Sequence, residues 1–178
     1  PLKNSLRTDN VFFCATSLVY FFIKYLIKNS KKKINVDLNK YLFFAAIATV
    51  CDQMPLRNIN KKIIINGFKN FQYNKFVNLK KLLKINHRLN TSDISFSLGP
   101  ILNSAGRLGY SDLPIRLLIE KKDVIVDKIT NKLLILNEKR KKIQNNTINL
   151  LNSKRDENKN KIIFKYKENI NEGLLGII

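Results

Sequence analysis

Apolar residues along this chain recur mainly three and four positions apart, the spacing that lines one face of an α-helix. Residues 11 to 28 form an apolar run that predicts a buried helix. Asp37 is a candidate N-cap for a second helix over residues 38 to 50, which is apolar nearly all round and should therefore lie deep in a core. Residues 60 to 71 and 75 to 85 carry narrower apolar stripes and predict two amphipathic helices.

One long helical pattern dominates the second half of the chain. Thr91 is a candidate cap for a short helix over residues 92 to 98, and residues 113 to 120 predict another short helix. From Lys122 to about Ser153 the apolar spacing continues without Gly or Pro, through Ile129, Leu133, Leu136, Ile143 and Leu150. Polar residues interrupt this stripe, so the pattern favours a half-buried helix that connects or braces domains over a coiled coil.

The pattern changes again after the long helix. Residues 153 to 161 are charged and rich in Asn, which is typical of a domain boundary. Residues 162 to 164 predict a β-strand, and residues 169 to 178 begin a further element that stops abruptly. Since the chain also begins at Pro1 rather than at Met, we expect it to be a portion of a longer protein.

The apolar run near the beginning of the chain could at first be mistaken for a signal peptide core. Lys24 interrupts it before it reaches the roughly 20 apolar residues that a membrane span needs. A small-x-small cleavage site does not end the run cleanly. The run therefore predicts a core helix, and no membrane is expected as a partner.

Composition narrows the class of protein. Apolar residues make up 44% of the 178 residues, and Gly and Pro are few, which argues against a disordered or fibrous chain. Cys14, Cys51 and His87 are the complete set of cysteines and histidines, and their spacing matches neither a disulfide framework nor a zinc site. This thiol content fits a reduced cytoplasm.

The charge of the chain has two interpretations. A formal net charge of +20 indicates an anionic partner, either nucleic acid or an acidic membrane surface. However, lysine supplies most of the 33 basic residues, and Asn and Ile are abundant, as in any protein encoded by a genome rich in A and T. A surface built to read phosphate geometry would use more arginine.

Asp52 is the first candidate for chemistry. It follows the most apolar predicted helix, and Pro55 forces a turn soon after it. A carboxylate held at such a position suits Mg²⁺ or Mn²⁺, which prefer oxygen ligands. The alternative is an aspartate that only caps the helix or stabilises the turn.

The second candidate is the segment of residues 98 to 109, the densest cluster of small residues in the chain. Its three glycines and Pro100 allow close approach of the backbone to a ligand. Asn103 and Arg107 can then present an amide and a guanidinium on one side, and a guanidinium matches phosphate oxygens in pairs. The alternative is a turn between helices with an arginine in a structural salt bridge.

Taken together, these residues resemble the RecJ branch of the DHH phosphoesterases. Residues 48 to 56, followed by residues 60 and 61, are similar to the family motif TVxDxxPL…N-R. Residues 98 to 109, read as LGPILNSAGRLG, are similar to its LGPRxNAAGRLG block. Residues 137 to 143 are similar to its N-x-x-R-x-x-I/E stretch, and residues 171 to 177 resemble more weakly the opening of the DHH-associated domain.

The resemblance implies an α/β fold of which this chain holds the mostly helical part. Residues 1 to 121 would be the C-terminal part of a DHH domain, and residues 122 to 155 the long inter-domain helix. Residues 156 to 178 would start a DHH-associated domain with its first strand. Most of the parallel sheet would precede the chain.

The resemblance also implies a function. Asp52 would be one carboxylate ligand of a site for two divalent cations, Mn²⁺ or Mg²⁺. Asn103, Ser104, Gly106 and Arg107 would contact single-stranded DNA. The reaction would remove nucleotides from the 5′ end of that strand in DNA repair and recombination. The enzyme would be a cytoplasmic monomer, with a helicase and a single-strand binding protein as candidate partners.

The chain departs from the family pattern in ways that affect activity. It contains no Asp-His-His triplet, and the other metal ligands of the family would lie upstream, so we expect the chain alone to be inactive. Ile101 and Lys61 stand where arginine is common, and Asn171 where histidine is common. Two alternatives stay open: a non-catalytic basic helical protein that binds nucleic acid, and a DHH phosphodiesterase for short oligonucleotides or cyclic dinucleotides.

Overall fold

The computed structural model describes residues 12–73, 77–83, 87–152, 168, 170 and 172–177. Every regular element within these ranges is a helix, which confirms the predicted helical content, whereas the α/β class stays a prediction. The strand predicted at residues 162 to 164 lies outside the described residues. The chain divides into two compact units, Pro1–Gly99 and Pro100–Ile178. The domain limits predicted at residues 121 and 155 stay a prediction.

The described residues of the first unit form five α-helices and two turns of other helix types. A 3₁₀ turn leads directly into α2, and a π-helical turn follows α5. The elements are α1 (Ala15–Asn29), the 3₁₀ turn (Leu38–Tyr41), α2 (Leu42–Cys51), α3 (Asn58–Tyr73), α4 (Val77–Leu83), α5 (Thr91–Asp93) and the π-helical turn (Ile94–Leu98).

Helix α2 forms the centre of the first unit, as its apolar sequence predicts. Phe43 is completely buried and stacks on Phe71 of α3 with a centroid distance of 4.6 Å. Gly67 lets the two helices approach closely, because a Cβ atom there would lie 2.6 Å from Cβ of Ala46 and 3.0 Å from the carbonyl oxygen of Leu42. The α2–α3 contact therefore depends on the absence of a side chain at position 67.

Helix α1 contradicts the prediction of a buried helix. Its outer face is exposed, with Phe22 and Tyr25 at 62% and 64% of full exposure. Ser17 and Tyr20 are its buried residues, and they lie on the side that packs against α2. The run is apolar nearly all round, so periodicity alone did not identify the packed face. Among the described helices, none combines the length and apolar content needed to cross a membrane.

A small polar cluster joins α1 to α2. The Cys14 thiol lies 3.2 Å from the Ser17 hydroxyl and 3.6 Å from the Thr49 hydroxyl, and the two hydroxyls are 3.3 Å apart. Thr49 also donates to the Ala45 carbonyl at 2.7 Å. Because all three side chains are buried, each polar group is satisfied by the others rather than by water.

The caps of two elements show what local sequence can and cannot specify. Asp37 accepts from the backbone N–H of Asn39 at 3.1 Å, which confirms it as the cap of the segment entering α2. Thr91, in contrast, lies inside α5. Asn90 is the cap, because its side chain accepts from Asp93 N–H while the Asp93 carboxylate accepts from Asn90 N–H. This reciprocal capping box satisfies two backbone donors that Thr91 would have left open.

The second unit is organised by the predicted long helix. The elements are α6 (Gly99–Arg107, which begins at the last residue of the first unit), α7 (Leu113–Ile119), α8 (Asp123–Asn152) and a C-terminal 3₁₀ helix (Glu172–Ile177). On α8, Ile129, Leu133 and Leu136 are buried as predicted. Leu150 is 54% exposed, so the buried stripe does not extend as far as its sequence spacing indicated.

Replacing Gly67 tests the close contact between α2 and α3. Gly67→Ala should lower the free energy of unfolding by about 1–3 kcal/mol, because the added methyl forces the helices apart, although Ala is the better helix former. Gly106→Ala is the matched control, since no atom lies within 4 Å of a Cβ there, and it should be neutral or stabilising. Urea unfolding measures both. Equal effects would contradict close packing at Gly67.

Candidate functional site

The end of α2 holds Asp52 in a defined turn. The Asp52 N–H donates to the Ala48 carbonyl at 2.8 Å, and the Met54 N–H reaches back to the Thr49 carbonyl at 3.0 Å. Gln53 between them has a φ of 52°, the left-handed conformation usual at this position of a helix terminus. The Asp52 carboxylate is consequently exposed at the end of a buried helix.

Asn60 fixes the loop that follows Asp52. Its side chain is buried, and Nδ2 donates to the Pro55 carbonyl at 3.0 Å and to the Phe12 carbonyl at 2.8 Å. One amide on α3 thus ties the Asp52 loop to the segment entering α1. Asn60 belongs to the first family motif, but the sequence alone assigns it no role. Its fixed spacing after the Pro-Leu pair was the available signal.

The described residues do not assemble a metal site. No group of three or more His, Cys, Asp or Glu side chains that could hold an ion occurs among them. The His87 imidazole lies 3.0 Å from the Asp93 carboxylate, which already caps α5. Burial, followed by the neighbouring Asp52 carboxylate, raises the pKa of the Cys51 thiol, which therefore stays protonated. Asp52 is the ligand that the sequence predicts, and one carboxylate cannot hold two divalent cations.

The predicted nucleic-acid residues on α6 differ in their accessibility. Asn103 and Gly106 are exposed, and the space around Gly106 is open. Ser104 is completely buried, and its hydroxyl donates to the Ile101 carbonyl at 2.7 Å. A contact between the Ser104 hydroxyl and a DNA strand therefore has no structural support. The periodicity of α6 directs Ser104 inward because it lies on the same face as Ile101.

Arg107 is held by the C-terminal 3₁₀ helix. Its Nη1 donates to the Gly173 carbonyl at 2.6 Å. A Cβ atom at Gly173 would collide with the Arg107 carbonyl oxygen and lie 3.0 Å from its Cα, so the two backbones touch. The sequence alternative was a structural salt bridge, but within the described part of the chain no carboxylate pairs with Arg107. Its positive charge is oriented without being neutralised.

Arg140 on α8 is a second oriented arginine in the same unit. Its Nη1 donates to Oε1 of Gln144 at 2.8 Å, and its Nε and Nη2 donate to Oδ1 of the buried Asn137 at 3.3 and 3.1 Å. Partial burial and the positive charge of Arg107 lower the pKa of Arg140. Arg140 belongs to a family motif on the long helix, but the sequence alone assigns it no function. Its spacing from Asn137 and Gln144, three and four residues along a helix, was the missed signal.

Comparison with known proteins gives one consistent result. No family model matches the chain. The chain is 32% identical over 113 residues to the single-stranded-DNA-specific exonuclease RecJ of Dickeya dadantii, a match that covers 61% of this chain and 20% of the relative. It is 28% identical over 109 residues to the protein of the same name from Bacillus subtilis, covering 59% and 14%. The matches thus span a fifth or less of these relatives.

Solved structures with the same fold carry the same name. RecJ from Thermus thermophilus in complex with Mn²⁺ superposes with a TM-score of 0.62 at 23% identity, over 67% of this chain and 18% of that one. A structure of exonuclease RecJ bound to manganese gives a TM-score of 0.68 at 20% identity, over 84% and 39%. At these identities the likeness concerns the fold.

Sequence and fold agree on the same group of proteins. The curated matches cover about 60% of the chain, and the two solved structures cover 67% and 84% of it. The resemblance first seen in the short motifs is confirmed, and over the residues that match this chain is similar to the RecJ-type single-stranded-DNA exonucleases.

Proposed function

We propose that this chain is part of a nuclease that hydrolyses phosphodiester bonds in single-stranded DNA, removing nucleotides from the 5′ end. The observation that carries this proposal is that the curated relatives are named as single-stranded-DNA-specific exonucleases. The net charge of +20 suits a polyanionic substrate. Since the chain spans about a fifth of those relatives, the activity belongs to the proposal for the whole protein.

Asp52 is proposed as one metal ligand of that nuclease. Its exposure at a rigid helix end supports this role, as do the Mn²⁺ and Mg²⁺ complexes of the Thermus thermophilus relative. The proposal includes two divalent cations. The described residues alone do not fit such a site, because no group of three or more potential ligands occurs among them. The chain by itself is therefore expected to be inactive.

Arg107 and Asn103 are proposed to contact the DNA strand. They lie four residues apart on α6, a spacing that puts both side chains on one side of the helix. Gly106 lies beside them and leaves room for close approach of a strand. The guanidinium of Arg107 supplies paired donors for phosphate oxygens. We retain Gly106 in this surface for its open position and assign no DNA contact to the buried Ser104 hydroxyl.

The cellular setting completes the proposal. A nuclease of this kind would act on DNA in repair and recombination, in the cytoplasm and as a monomer. A helicase that exposes single strands and a protein that coats them are the proposed partners, because the substrate must be generated and kept unpaired.

Substitution of Asp52 tests the metal role in a protein that joins this chain to the rest of a RecJ-type enzyme. Asp52→Asn should lower Mn²⁺-dependent nucleotide release from single-stranded DNA by at least about a hundredfold, because even groups that only support metal ligands contribute 10–100-fold. Asp37→Asn is the control, since that carboxylate caps a helix in the same unit. Equal rates for both variants would remove Asp52 from the metal site. DNA binding without any hydrolysis would favour the non-catalytic alternative.

Substitution of Arg107 tests the strand contact in the 178-residue chain. Arg107→Gln should weaken binding of a fluorescent oligothymidylate and reduce the slope of log affinity against log salt by about 0.7, the value for one lost phosphate contact on a single strand. Arg116→Gln removes the same charge from an exposed arginine that pairs with Asp112 at 3.5 Å. Fluorescence anisotropy across a salt series measures both. Identical slopes in the two variants would rule out a specific contact at Arg107.

A further inference from the structure

Two arginines of the second unit are attached to the same short helix. Arg107 reaches it directly, through the Gly173 carbonyl at 2.6 Å. Arg140 reaches it through Gln144, whose Nε2 donates to the Ile177 carbonyl at 2.6 Å. Gly173 and Ile177 are four residues apart, which corresponds to about 8 Å along a 3₁₀ helix. The two attachment points therefore lie near opposite ends of one six-residue element.

Neutral groups alone orient these two cations. The partners of Arg107 and Arg140 among the described residues are a backbone carbonyl and the side-chain amides of Asn137 and Gln144. Glu138, the carboxylate nearest to Arg140 along α8, forms its ion pair with Lys141 at 2.8 Å and attracts Arg140 without bonding to it. The repulsion between the arginines contributes to the lowered pKa of Arg140. Since a guanidinium does not lose its proton in a protein, both charges persist.

Both side chains keep donors available for a ligand. A guanidinium has five N–H groups, and Arg140 uses three of them on Asn137 and Gln144. Arg107 uses one on Gly173. The remaining donors belong to planar groups whose orientation is already fixed, so binding an anion would cost little conformational entropy. An anion between them would also remove their mutual repulsion.

We propose that Arg140 and Arg107 bind one phosphate group between them. Helix α8 would thus add a phosphate-binding residue to the face of α6 that is proposed to contact DNA. The identification of that phosphate as part of a DNA strand rests on the proposed function. The anion site itself follows from the two oriented arginines. Arg140 is thereby more than a structural link to the C-terminal 3₁₀ helix.

Inorganic phosphate provides the first test on the 178-residue chain. Phosphate should raise the thermal midpoint relative to chloride at equal ionic strength, because a ligand of the folded state stabilises it. Arg140→Gln should abolish most of that increment. Lys139→Gln should retain it, since Lys139 is the exposed neighbour on α8 and carries the same charge. Equal increments in both variants would overturn the site, as would a wild-type chain that gains nothing from phosphate.

Arg140→Lys separates binding from support of the fold. It keeps the charge but loses the planar fork of donors, so it should retain only part of the phosphate increment. A purely structural Arg140 predicts a different result. In that case Arg140→Gln would lower the midpoint equally in chloride and phosphate and leave the increment intact, which would refute the proposal.

Oligothymidylate binding then tests whether the phosphate belongs to a strand. Arg140→Gln should reduce the salt slope by about 0.7. Combining it with Arg107→Gln should reduce affinity by less than the product of the two single effects, because both residues serve one phosphate. Independent effects of the two would refute the shared phosphate. If the wild-type chain binds phosphate but no oligonucleotide, the proposed function fails while the anion site stands.

Discussion

The contact between α2 and α3 is the constraint on which the first unit depends, because the two backbones approach so closely that position 67 has no room for a methyl group. Phe43 and Phe71 stack across this contact and exclude water from it. The closeness also fixes where α2 ends relative to α3. Asn60, near the beginning of α3, can therefore hold the loop after Asp52 by a single amide. A packing requirement in the core thus determines the position of the exposed carboxylate at the surface.

The second unit follows a different principle, in which neutral groups orient positive charge. The C-terminal 3₁₀ helix contributes carbonyl oxygens, and α8 contributes amides, to two arginines. Carboxylates in those positions would have neutralised the arginines and stabilised the fold more directly. Amides and carbonyls fix the geometry and leave the charge available. The unit therefore keeps an electrostatic cost that a bound anion would relieve.

Sequence periodicity predicted the existence of the helices because burial of one face leaves a regular spacing. It predicted the central place of α2, and Pro55 predicted the turn that follows Asp52. It was wrong for α1, where apolar residues on every side gave no indication of the packed face, and for Leu150, where the spacing continues beyond the buried stripe. Ser104 was grouped with its exposed neighbours because a short motif conceals the alternation of helix faces. The role of Arg140 could not be predicted, because Gln144 links it to the C-terminal 3₁₀ helix. Local sequence patterns do not show that this helix packs near α8.

The thiol and hydroxyl cluster between α1 and α2 restricts how these helices can slide on each other. The contacts from Cys14 and Ser17 to Thr49 form only in one relative position, and a shift of one turn would break both, leaving Cys14 paired with Ser17 and Thr49 with the Ala45 carbonyl. Apolar side chains alone would tolerate several positions with similar energy. The cluster therefore selects one packing register of α1 against α2, although the apolar surface of α1 alone is compatible with several.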